Sequence, residues 1–139
     1  MALTRSHAKK RRGTSLVEAV LVLPLLLLVM FGLIEYGNLF LRLQKIENVA
    51  RQAARTAATP DATQTQVDDL ITAMMTDAGM GSSGYIKTVT PTDPASASRG
   101  DQISVSIQVT YANIAITNAP LIPVPTTVVR TVVMAKEGP

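Results

Sequence analysis

The sequence predicts an α+β chain: a long N-terminal helix, a second helix, and a small antiparallel sheet of about three strands. Three observations carry this. Residues 19–34 hold no charge, and twelve of the sixteen are Val, Leu, Ile or Phe. From Tyr36 onward, apolar residues recur at helical spacing as far as Ala57. Residues 103–111 then alternate apolar and polar with a period of two. The first pattern suits lipid, the second a helix with one buried face, and the third a strand with one buried face.

The apolar run is worth about −4 to −7 kcal/mol toward a bilayer at roughly −0.3 to −0.6 kcal/mol per residue. Sixteen residues are short of the ~20 that a span requires. Starting at Thr14 supplies the length and places Glu18 near one end, where an acid costs less than at the centre. Pro24 inside the run is expected to bend the helix, and Gly32 and Gly37 offer two flat points on it.

Charge is distributed unevenly. Net charge is +3, but Arg5, Lys9, Lys10, Arg11 and Arg12 all precede Gly13. Without those five, eight bases face ten acids. The basicity belongs to the head, which argues against nucleic-acid binding. Bases beside a membrane helix hold that end in the cytoplasm, so Lys9, Lys10, Arg11 and Arg12 set the topology and the C-terminal part is expected outside. Residues 1–13 read as a basic cytoplasmic leader without helix signature, 14–58 as the spanning and projecting helix, and 59–139 as an extracytoplasmic α+β domain. A signal peptide fits less well. The apolar run is long for one, and Glu35-Tyr36-Gly37-Asn38 is no small-x-small cleavage site.

The amphipathic stripe is Tyr36, Leu39, Phe40, Leu43, Ile46, Ala50, Ala53, Ala54 and Ala57, with Glu47 and Arg51 as a favourable i,i+4 pair. One helix over residues 15–58 would be about 65 Å long. Thr59-Pro60-Asp61 ends it and opens a second helix, with Thr59 or Asp61 as cap. The second stripe is Val67, Leu70, Ile71, Met74, Met75 and Ala78. Asp68, Asp69 and Asp77 face away, and Gly79 is the stop. Residues 79–84 read as a flexible Gly/Ser loop. Strands follow over 85–90, 103–111 and 126–135, with a proline-rich crossover at 112–125 and a frayed tail from Lys136.

Catalytic chemistry has little material. The one histidine, His7, lies in the leader, and there is no cysteine. A thiolate metal site, a disulfide and a Cys nucleophile are therefore excluded. The glycines at 79–84 lack the lysine of a phosphate loop. Arg99-Gly100-Asp101 reads as a turn before a strand rather than an adhesion tripeptide. No enzyme activity, metal, cofactor or small-molecule substrate is expected.

The junction at Gly13 is more specific. Basic residues, Gly13, four residues, Glu18 and an apolar helix look like a type IV prepilin-like signal. Arg12-Gly13-Thr14-Ser15-Leu16-Val17-Glu18, Leu23-Pro24, Phe31-Gly32-Leu33-Ile34-Glu35-Tyr36-Gly37 and Ala50-Arg51-Gln52-Ala53-Ala54-Arg55 resemble the TadE-like family. These are pilin-like minor components of the tight-adherence (Tad), type IVb, pilus system. The family often carries Phe or Tyr after the first acid, where this chain has Ala19.

The resemblance implies a pilin-like fold and cleavage by prepilin peptidase between Gly13 and Thr14. Glu18 would then be the fifth mature residue and would set register against the N-terminal amine of a neighbouring subunit. It further implies a pseudopilin of an adhesive Tad/Flp-type pilus. Its partners would be other pilin-like subunits, the Tad secretion machinery and the lipid bilayer. It would reside in the bacterial inner membrane or be exported in the pilus. The alternative is an uncleaved single-pass protein whose extracytoplasmic domain binds an envelope partner.

Overall fold

The computed structural model describes residues 8–117 and 122–138, with side chains from residue 15 onward. Its elements are α1 (Ala8–Ala58), α2 (Gln64–Asp77), β1 (Ile86–Thr90), β2 (Gln102–Thr110) and β3 (Thr127–Ala135). Short 3-10 turns cover Pro94–Ser96 and Tyr111–Asn113. The sheet is antiparallel in the order β1-β2-β3. The expected α+β architecture is observed.

α1 is 51 residues long, about 76 Å at 1.5 Å per residue. It begins at Ala8 and not near residue 15, which corrects the expectation of a leader without helix. Ala8, Lys9, Lys10, Arg11 and Arg12 are all good helix formers, and Gly13 costs only about 1 kcal/mol in a helix interior. The helix also runs through Pro24. Its C-terminal end at Ala58 is the expected one.

The two halves of α1 live in different surroundings. Every described residue from 15 to 31 is exposed. From Leu39 the inward face is buried: Leu39, Ile46, Val49, Ala50, Ala53, Ala54 and Ala57. Val49 joins the expected stripe, while Tyr36 and Phe40 leave it and are exposed. The alanines make α1 thin where it lies against α2, β2 and β3.

The sheet presents Val89, Ile103, Val105, Ile107, Val109 and Val128 to this helix layer, all buried. On the same face, Lys87 and Arg130 flank Ile107 across the three strands. Lys87 Nζ lies 3.0 Å from Asp68 of α2, and Arg130 Nε lies 3.9 Å from Glu47 of α1. Asp68 is therefore half-buried and paired, not turned away. Inward-facing charges on the outer strands also discourage edge-to-edge pairing. Glu47 holds Arg51 at 2.7 Å, as the i,i+4 spacing predicts.

The cap of α2 is Thr63, not Thr59 or Asp61. Its hydroxyl accepts from the Gln66 N–H, and the Gln66 side chain accepts from the Thr63 N–H. This capping box is written in Thr63-x-x-Gln66, three residues after Pro60. At the other end Gly79 has φ +73°, and the N–H groups of Gly79 and Met80 donate to Thr76 and Met75. These two bonds make the Schellman stop. The loop that follows is fixed rather than flexible. Met80 and Ser83 are buried, and the Asn113 amide donates to Ser83 O at 2.8 Å.

Cations from distant elements cap both helix C-termini. Arg42 and Lys45 of α1 donate to the carbonyls of Ala78 and Gly79 at 3.3–3.4 Å. Lys136, buried, donates to Ala57 O at 3.3 Å and Thr59 O at 2.7 Å. The Glu137 N–H donates to Ala58 O at 2.8 Å. The tail after β3 is thus a C-cap of α1, not a frayed end. Lys136→Met keeps the stem and removes the donors and charge. It is expected to cost about 1–2 kcal/mol and to speed amide exchange in the last turn of α1. Unchanged exchange there would show the cap to be dispensable.

Candidate functional site

Two regions of α1 hold the candidate residues. The first is the start of the bare half. Gly13 and Thr14 have helical backbone within α1. Their side chains, like those of Lys9, Lys10, Arg11 and Arg12, lie outside the described residues. Glu18 is exposed between exposed Leu16, Val17, Val20 and Leu21. It sits seventeen residues before Glu35, about 25 Å along the helix axis. A Cβ at Gly32 or Gly37 would meet nothing within 4 Å, so neither glycine serves packing inside this chain.

The second region was not singled out by sequence reasoning. Glu35 directly follows the apolar run and is 2% exposed. Its Oε1 accepts from the Tyr111 hydroxyl at 2.5 Å and the Ile116 N–H at 3.2 Å. Its Oε2 accepts from the Thr117 N–H at 3.0 Å and the Thr117 hydroxyl at 2.7 Å. Four neutral donors thus surround one carboxylate, an arrangement that favours its ionised form. Two further bonds pin the same crossover: Asn38 Nδ2 donates to Ile114 O at 3.0 Å, and the Tyr36 hydroxyl donates to Pro123 O.

The segment Glu35-Tyr36-Gly37-Asn38 therefore holds both ends of the crossover between β2 and β3 against the helix. Tyr111 is itself buried. Burial, with the Glu35 carboxylate beside its hydroxyl, pushes its pKa up to about 12. The signal in the sequence was positional. Glu35 stands four residues before Leu39, so an acid falls on the buried stripe of an amphipathic helix. An interfacial acid after an apolar run looks the same until its donors are located, and Tyr111, Ile116 and Thr117 are more than seventy residues away.

With every carboxylate lone-pair direction occupied by a donor, Glu35 is placed to hold structure rather than to move protons. Among the described residues no group of three or more His, Cys, Asp or Glu could hold a metal ion.

Residues 13–55 match the family model described as TadE-like protein. The similarity to that family is confined to this stretch. The TadE-like segment lies wholly inside α1 and includes Glu18, Glu35 and the first part of the alanine stripe. No curated protein and no solved structure matches the chain. Among the described residues one helix is long and apolar enough to cross a membrane, with a mean hydropathy of 2.7 over its most apolar window and none of that window buried. A helix with this bare apolar surface fits a single-pass membrane protein.

Proposed function

We propose that this chain is a minor pilin-like subunit, a pseudopilin, that is anchored in the inner membrane and takes part in assembly of an adhesive Tad/Flp-type pilus. The observation that carries the reading is the exposed apolar half of α1, continuous with a second half that forms the core of the C-terminal fold. A helix of this kind has two environments available: lipid, or the helices of other subunits. Because lipid tails are as apolar as leucine, transfer between them is governed by packing and by polar contacts. Glycines at 32 and 37, each with open space where a Cβ would stand, suit close approach by a neighbouring helix.

The leader 1–13 stays in the cytoplasm through Lys9, Lys10, Arg11 and Arg12, and the α2–sheet portion is outside. Prepilin peptidase cuts between Gly13 and Thr14. The new amine of Thr14 in one subunit then meets Glu18 of the next. Two opposite charges in apolar surroundings are each costly alone, so their pairing selects one register.

Intact mass and N-terminal sequencing of the protein from native membranes test this. The expected chain starts at Thr14. A chain that retains Arg5 to Arg12 would establish the other reading, an uncleaved single-pass anchor whose outer domain binds an envelope partner.

A further inference from the structure

We infer that the two described ends of the crossover after Tyr111, residues 112–117 and 122–126, rest on the membrane surface, with Ile116 and Val124 dipping into the headgroup–acyl boundary beside α1. The inference depends on the reading of residues 15–34 as a span.

Side chains on a helix lean toward its N-terminus. On α1 that direction points back along the apolar run. The carboxylate of Glu35 therefore lies level with the last apolar turn, and the N–H groups of Ile116 and Thr117 are bound at that level. The Tyr36 hydroxyl leans the same way and binds Pro123 O, which brings the other end of the crossover down as well. Each anchor stands next to an exposed apolar side chain: Ile116 is 60% exposed, and Val124 is 36% exposed. Leu33 on the helix is 70% exposed.

The apolar surface of α1 also continues past Ile34. Phe40 and Leu41 are both more than 60% exposed, six and seven residues further along, about 9–10 Å beyond the run. A boundary set there places the exposed side chains of the crossover at interfacial depth, where apolar groups are buried ~5–10 Å by amphipathic surface elements. It also explains why Glu35 carries a complete set of donors. A bare carboxylate at that depth is expensive, and the crossover supplies its hydrogen bonds. Lipid is thus the occupant that is continuous with the surface the span already presents.

The chain has no cysteine, so single labels report single sites. The full chain is reconstituted at low protein-to-lipid ratio in phosphatidylcholine–phosphatidylglycerol vesicles. Spin labels are placed in separate I116C, V124C, V22C and S82C variants. Collision with oxygen reports lipid, and collision with a water-soluble nickel chelate reports solvent.

The labels at 116 and 124 are expected to fall between the other two, with nickel collisions several-fold below those at exposed Ser82. If V22C is lipid-buried while I116C and V124C match S82C, the inference is overturned and the span stands. If V22C also matches S82C, the span reading has failed and takes this inference with it. Shielding of I116C from both reagents that grows with protein density would mean that a second copy covers the crossover, and that too overturns it.

Discussion

Glu35→Ala should lower the stability of the fold by about 2–4 kcal/mol and release the crossover after Tyr111. The estimate follows from what is left behind. The Tyr111 hydroxyl, buried, loses an acceptor at 2.5 Å, and the Ile116 and Thr117 N–H groups lose theirs. An orphaned buried donor costs roughly 1–3 kcal/mol; the Tyr111 hydroxyl keeps only its long 3.4 Å bond to Glu35 O, and the exposed sides of Ile116 and Thr117 allow water to repair part of the loss. The lost charge adds to the effect, since bonds to ionised groups are the stronger ones.

Urea-dependent pulse proteolysis of the full chain in micelles reads the midpoint, and amide exchange at 116 and 117 reads the crossover. Glu35→Gln should fall between wild type and alanine. It keeps one acceptor oxygen but turns an amide donor toward the donors of Thr117. An alanine variant with an unshifted midpoint and unchanged exchange would show that the glutamate anchors nothing.

The same contact gives wild type an alkaline limit. The Tyr111 pKa is raised from 10 to about 12 in the fold. A raised pKa means that the stabilisation is complete below pH 10, where the unfolded tyrosine is also neutral, and is lost as pH climbs toward 12. Tyr111→Phe should lack that limb.

What the sequence made legible depends on how local its physics is. The strand pattern of residues 103–109 needed only alternation, and Ile103, Val105, Ile107 and Val109 are all fully buried as alternation requires. The Schellman stop at Gly79 needed only a glycine after an apolar stripe. The structure departs from the local pattern mostly where one residue answers to something far off in the chain. Lys136 reads as tail polarity until the open carbonyls at the end of α1 are beside it. Tyr36 and Phe40 fit the helical period, but the buried face at that level carries Glu35 and Leu39, one position earlier in each case, and the two aromatics stay exposed. The Thr63 capping box is local, but Pro60 three residues earlier is an equally local start signal, and only the structure decides between them. Glu35 is the largest case. Its spacing put it on the buried face, yet the four donors come from residues 111–117, which no window around residue 35 contains.

Glu18→Val should leave membrane insertion intact and abolish assembly. An acid in an apolar helix opposes insertion, by up to ~2.5–3.5 kcal/mol at the membrane centre and less near an end. Its removal therefore cannot weaken anchoring. Glu18 is also exposed and about 25 Å from the clamp at Glu35, so the fold beyond residue 35 should not respond. Any loss must arise between chains.

The proposed partner is the Thr14 amine of a neighbour, which exists only after cleavage at Gly13. Two readouts separate the possibilities: the amount of protein in washed membranes, and its crosslinking to other pilin-like subunits with recovery in sheared surface fibres. Normal membrane levels with crosslinking and fibres lost support the register role. Wild-type crosslinking and fibre recovery would remove Glu18 from assembly. Glu18→Gln sharpens the result, because an amide can still accept a hydrogen bond from an ammonium group but cannot neutralise it. If charge pairing sets the register, the glutamine variant should assemble poorly, since the amine would enter the apolar bundle without a counter-charge.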